Sequence, residues 1–257
     1  MRSIYKISVL IIMLICSANS CEQKILEVEN VLLQDMANFD KAFIPVLYYV
    51  RQGEMDNAKK SVFFLNHAWQ KFQGKYKNAQ PENDNWQEIF RMTDAWLSDA
   101  YFSIEARMPQ DAYIFLDHVR YQLMEFRRQE QLNYFLDNVW EFEASLDLAE
   151  EVAVDQMLCL LDYGEFEKLV EMVNQDWTKL NRPKNIATLF ELDEAKMKIL
   201  DSRKQKLKFT LLEFNQAVEE AEGENLAITA TFFKQAYLDY LACFGDFISS
   251  KHYYATL

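Results

Sequence analysis

The chain has 257 residues, half of them hydrophobic, with only 5 Gly and 4 Pro and a formal net charge of −13. That much apolar content excludes a disordered chain, and so few turn residues exclude a strand-rich fold, which needs Gly and Pro at its many tight turns. The acidity argues against nucleic-acid binding and against docking on anionic membrane surfaces, where phosphate groups would be repelled.

The first stretch, "MRSIYKISVLIIMLICSANSC", places Arg2 and Lys6 before an apolar run from Ile7 to Ile15 and then small residues. This is the layout of a secretory signal peptide over 1–20, and its apolar run is too short to span a bilayer. Ala18 and Ser20 suit cleavage before Cys21. A cysteine there resembles a bacterial lipoprotein signal, with the thiol lipidated, although Ala18 stands where such signals usually carry Leu. An ordinary secreted protein beginning with Cys is the alternative. The expected location is therefore exported, in the periplasm or at the outer membrane as a lipoprotein, with a lipid at Cys21 as the only membrane contact.

From there, apolar residues recur at alternating steps of three and four, the mark of amphipathic helices packed in a bundle. Leu32, Met36, Phe39, Phe43, Val46 and Val50 predict helix one. Met55 to Phe72, Trp86 to Ile104 and Ala112 to Phe126 predict three more, with Pro109 suited to the first turn of the fourth. Phe135 to Ala153 opens a fifth, and Phe166 to Leu180 marks a sixth. A seventh is predicted over 186–221 and an eighth from Leu226 through Phe247. Gly53, Gly74, Gly164 and Gly223 are expected at junctions, as helix terminators. "RQGEMDNAKKSVFFLNHAWQKF" and "LDYGEFEKLVEMVNQDWTKL" share a Gly-Glu entry and a Trp-x-Lys exit, which suggests an internal repeat. The fold class is thus all-α: two tandem antiparallel four-helix units, 21–130 and 131–250, packed together, with a tail at 251–257.

Helix one poses the sharpest question, because Pro45 lies inside its stripe. Proline cannot donate to the carbonyl of Lys41 and crowds it, at a cost of about 3 kcal/mol in a helix interior. Either the bend fits the helix around its neighbours, or it opens a crevice. At matching depth the neighbouring helices offer Trp96, Asp99, Tyr101, His118 and Tyr121, with His118 expected half-buried. Pro45 and these five residues form a candidate ligand site.

Here the chain resembles a known group. "DKAFIPVLYYVRQG", "AWQKF" and "AYIFLDHVRYQLMEFRR" resemble exported bacterial proteins of unknown role that carry a D-x-A-F-I-P-x-L helical segment. The resemblance covers about the first half of the mature chain and brings no activity with it. Arg120, Arg127 and Arg128 belong to it and read as a solvated face near the acidic fifth helix. The architecture also resembles the cytochrome c′/b562 type, without its haem motif.

Chemistry is hard to find in the sequence. No C-x-x-C-H occurs for covalent haem. Met36 and His118 are the right types for axial ligands, yet their depths differ by roughly 10 Å at 1.5 Å per residue. No Glu-x-x-His pair is present for a di-iron site. The ten Met residues fall mostly in stripes, as core filling rather than copper ligands. There is no nucleophile motif and no phosphate-cradling glycine loop. No cofactor or metal is expected. Cys159 and Cys243 are placed about 22 Å apart along the bundle, beyond the ~7 Å reach of a disulfide, and are expected as two thiols. The acids of the fifth helix and the lysines of 196–208 read as charged faces that are solvated or paired. The expected function is a non-enzymatic interaction or binding module of the bacterial envelope, its partner an envelope protein or small molecule. The alternative is a carrier of a small ligand, haem or metal near Pro45 and His118.

Overall fold

The computed structural model describes residues 30–154, 163–180, 185–220 and 223–255, and they are helical with no strand among them. The signal peptide, Cys21 and Cys159 lie outside the described residues. Helix α1 covers 30–51, followed by α2 (Met55–Tyr76), α3 (Asp84–Glu105), α4 (Pro109–Gln129) and α5 (Phe135–Val154). Then come α6 (Tyr163–Lys179), the short α7 (Ile186–Leu189), α8 (Glu194–Glu220), α9 (Gly223–Leu241) and α10 (Phe247–Ala255).

Two helices are central. In α1, Met36, Ala37, Phe39, Ala42, Phe43, Ile44, Val46, Leu47 and Val50 are all buried, so the apolar surface wraps most of the way round. A helix of that kind must be enclosed by others. The acidic α5 buries Leu136, Val139, Trp140, Phe142, Leu146 and Ala149. Around them, α3 packs on α2 and α4, α5 on α6 and α9, and α8 on α9. Phe39 of α1 meets Trp69 and Phe72 of α2 at ring separations of 5.8 and 6.5 Å.

Low glycine content is reconciled with sharp helix ends by an unusual set of C-terminal caps. Gly53, with φ of 70°, ends α1 in a Schellman motif: Glu54 N–H donates to Tyr49 O and Gly53 N–H to Val50 O. Arg107, Gln131 and Glu191 occupy the equivalent place after α3, α4 and α7, at φ of 56°, 55° and 54°. Each makes the same paired backbone bonds, as in Leu132 N–H to Arg127 O. Left-handed backbone is disfavoured for such residues. Glycine therefore under-reports the turns of this chain. Conversely, Gly74 lies inside α2, while Gly164 and Gly223 stand in the first turns of α6 and α9, near junctions as expected but not as C-terminal caps.

Two predicted helices are broken. The seventh is interrupted at Phe190–Asp193, where the left-handed Glu191 ends α7 and Asp193 Oδ1 accepts from Lys196 N–H to start α8. Phe190 fills the corner, its ring 5.1 Å from Phe244. The eighth ends at Leu241, passes through a 3₁₀ turn (Ala242–Phe244) and restarts as α10. Periodicity carried on through both breaks because corner residues such as Phe190 and Phe247 are apolar too. Residues 251–255, expected as part of a tail, are the end of α10, which packs on α2.

Candidate functional site

Pro45 is buried in α1, and the carbonyl its ring leaves without an intrahelical donor has a partner. Asp246 N–H donates to Lys41 O at 2.7 Å. A backbone acceptor in an enclosed helix needs a donor, and here a segment distant in sequence supplies it. Close approach depends on Gly245. A Cβ there would stand 2.9 Å from Ile44 Cγ2 and 3.1 Å from Pro45 Cδ. Asp246 then turns the chain into α10, its Oδ1 accepting from Ser249 N–H at 2.8 Å. Phe247 closes on Tyr48 and Tyr49 at 5.4 and 5.6 Å. Further along α10, Tyr253 lies 5.7 Å from Phe64 and 5.2 Å from His67.

This junction separates two open crevices. One, of about 390 Å³, lies between α1 and α2 over Phe39, Phe64, Ala68 and Phe72. The other, of about 300 Å³, lies between the α7–α8 corner and the 243–248 segment. Lys41, Glu191 and Asp246 line both. Lys41 Nζ bonds Glu191 Oε2 at 2.7 Å across the divide. Cys243 faces the second crevice. Burial pushes its thiol up to about 11, so it is no ready nucleophile at neutral pH.

The residues expected to converge on Pro45 are distributed differently. Trp96 and His118 do meet, with rings 5.1 Å apart in the α3–α4 groove. His118 is exposed rather than half-buried. Tyr101 turns to Phe63 at 6.2 Å, while Asp99 and Tyr121 are exposed. Around Pro45 the described contacts are Gly245 and its neighbours, and none of the other five lines either crevice.

The strongest electrostatics lie where no site was expected. Glu143 of α5 is fully buried and accepts from Arg51 at 3.3 Å, Lys234 at 3.1 Å and Tyr237 at 3.1 Å, and from Arg120. Asp147 joins through Arg51 (2.8 Å), Tyr113 (3.0 Å) and Lys234. Burial pushes the Glu143 carboxyl up, but Lys234, Arg120 and Arg51 together outweigh it and hold it at about 2. One helix turn or more away, Tyr134 O–H donates to Asp40 at 2.6 Å, and Arg127 is bound to Asp137 rather than to Asp40. Burial lifts Asp40 to about 6, only partly opposed by Arg127. Arg120 and Arg127 are thus buried, not a solvated face, and only Arg128 of the three is exposed. The basic residues of α8 pair elsewhere as well: Arg203 and Lys206 bond Asp239 of α9, at 2.8 and 3.0 Å.

A signal for these clusters was present. Asp40, Arg120, Glu143 and Lys234 each lie three or four residues from stripe positions on both sides, such as Met36 and Phe43 for Asp40. A charge inside an apolar stripe is expected to be buried with a partner. Four such charges on α1, α4, α5 and α9 mark a shared interior.

Among the described residues no group of three or more His, Cys, Asp or Glu is placed to hold a metal ion, and no helix is long and apolar enough to cross a membrane. Comparison of the chain with protein-family models, with curated proteins and with solved structures finds no match.

Proposed function

We propose that this chain is a non-enzymatic binding module of the bacterial cell envelope, exported by its N-terminal leader and held at the membrane by a lipid on Cys21. Its scaffold is a pair of antiparallel four-helix units, 21–130 and 131–250, a reading supported by the packing of α2, α3 and α4 on one side and of α5, α6, α8 and α9 on the other. Its binding element is the pair of crevices flanking Gly245 and Asp246, and its partner is an envelope protein or a small molecule.

One contrast carries the proposal. The buried carboxylates Glu143 and Asp40 are engaged by cations and tyrosines and line neither crevice, so a molecule bound in either does not meet them directly. The crevices are open, fall in the size range of small-molecule sites and combine aromatic walls with a few charges. Mass spectrometry of the protein extracted from its native envelope tests this. A lipid on Cys21 and a retained small molecule or co-purifying protein are expected. An unmodified Cys21 with no bound partner would contradict both parts.

A carrier reading rests on the Trp96–His118 pair, an exposed imidazole backed by an indole. Added haem would then give a Soret shift that His118→Ala abolishes, and an unchanged spectrum would dismiss it.

A further inference from the structure

We infer that the α1–α2 crevice takes a small monoanion carried on an apolar body, with the negative group held at Lys71. This rests on the binding-module reading above and names the chemistry of its ligand. The first observation is charge. In a chain of net charge −13, α2 carries four lysines against one acid, Asp56, which makes it a local cationic element. Phe64, Ala68, Lys71 and Lys75 recur along one face of α2 and line the crevice.

The second observation is how those charges are engaged. Lys75 is bound to Asp35 at 2.5 Å, and Asp35 also accepts from Tyr76. Lys41 is bound to Glu191. The Asp246 carboxylate caps α10. The acids on the rim are therefore occupied within the protein. Lys71, exposed and one turn from both Ala68 and Lys75, makes no hydrogen bond or close ion pair among the described residues, although its charge also acts on Asp35. Of the three lysines lining the crevice, it is the one without a close ion pair, and so the one a ligand's negative group meets.

The third observation is the floor. Phe39 and Phe72 are buried, Phe64 is half-buried, and Ala68 is the small residue that leaves room between them. A wholly polar anion such as free phosphate would leave these rings uncovered, and an uncharged hydrocarbon would gain nothing from Lys71. The volume of about 390 Å³ suits a molecule of a few fused or linked rings or a short chain.

The test uses 8-anilinonaphthalene-1-sulfonate, a monoanionic apolar probe, and its uncharged counterpart N-phenyl-1-naphthylamine, with the folded protein at pH 7. Saturable sulfonate binding is expected, weakened about tenfold by Lys71→Glu and kept by Lys71→Arg, and removed by Ala68→Trp, which fills the crevice. The uncharged probe should be insensitive to Lys71→Glu. Thermal unfolding of each variant checks that the fold is intact. Sulfonate binding that survives Lys71→Glu yet is lost in Ala68→Trp would overturn the anion assignment while leaving the crevice as a binding site. Binding that ignores both substitutions would overturn the assignment of this crevice, placing the probe elsewhere, as on the exposed Phe209, Leu212 and Phe232 (59%, 56% and 62% exposed), and would leave the binding-module reading to the α7–α8 crevice and the mass-spectrometric test.

Discussion

Glu143 and Asp40 are the same kind of group in the same kind of place, and they behave oppositely. Both are buried carboxylates on the two central helices, α5 and α1. Burial pushes each carboxyl up. Around Glu143, three cations from α1, α4 and α9 converge and win, so it stays ionised to about pH 2. Around Asp40, the cation that opposes burial is Arg127, already bound to Asp137, and the carboxyl rises to about 6. Depth alone does not fix the protonation of a buried acid. The number of cations in direct contact with it does.

The stability consequences have opposite signs. Glu143 has a folded pKa below its unfolded value of 4.5, so its contribution is present above that pH and is lost as pH falls toward 2. Asp40 has a folded pKa above its unfolded value of 3.8, so its contribution is present below 3.8 and is lost as pH rises through 6.

Four substitutions break or sharpen this comparison. Glu143→Gln should have the largest effect, a loss of about 3–5 kcal/mol in urea unfolding at pH 7, because Arg51, Arg120 and Lys234 lose the one fully buried carboxylate they share and keep only the more exposed Asp147 and Asp117. Asp40→Asn should go the other way. It should stabilise at pH 7 by up to ~3 kcal/mol and flatten the decline between pH 4 and 6, with Tyr134 still donating to the amide oxygen. Equal signs for these two would break the comparison. Gly245→Ala touches neither carboxylate and isolates the junction next to Asp40. Its Cβ would force apart Ile44, Pro45 and Phe247, for a loss of about 1–3 kcal/mol and faster amide exchange in α10. Gln131→Gly, at the turn that delivers Tyr134 to Asp40, should be smallest. It relieves a left-handed non-glycine residue and should stabilise by about 0.5–1 kcal/mol without moving either titration.

Much of the helical course was legible in residue spacing, because stripes at steps of three and four describe burial directly. Pro109 at the first position of α4 is one such success. The corner at Glu191 was not legible, since a charged residue stands where glycine is usual and the apolar pattern runs on through Phe190. At Pro45 the sequence posed the right question, an orphaned carbonyl at Lys41, but its answer is Asp246, about 200 residues away. No local pattern carries a contact of that span. The ionic interior was half legible: charges within stripes announced burial, yet which acid met which cation depended on how α1, α4, α5 and α9 face one another.

The ionic interior is held here to be structural, with binding left to the open crevices. Carboxyl ¹³C NMR of the folded protein between pH 3 and 8, assigned with Glu143→Gln and Asp40→Asn, tests this most directly. Glu143 should remain ionised across the range while Asp40 titrates near pH 6. A Glu143 titration near neutrality would contradict the account, and would turn the cluster into a candidate acid–base centre instead of a clasp between helices.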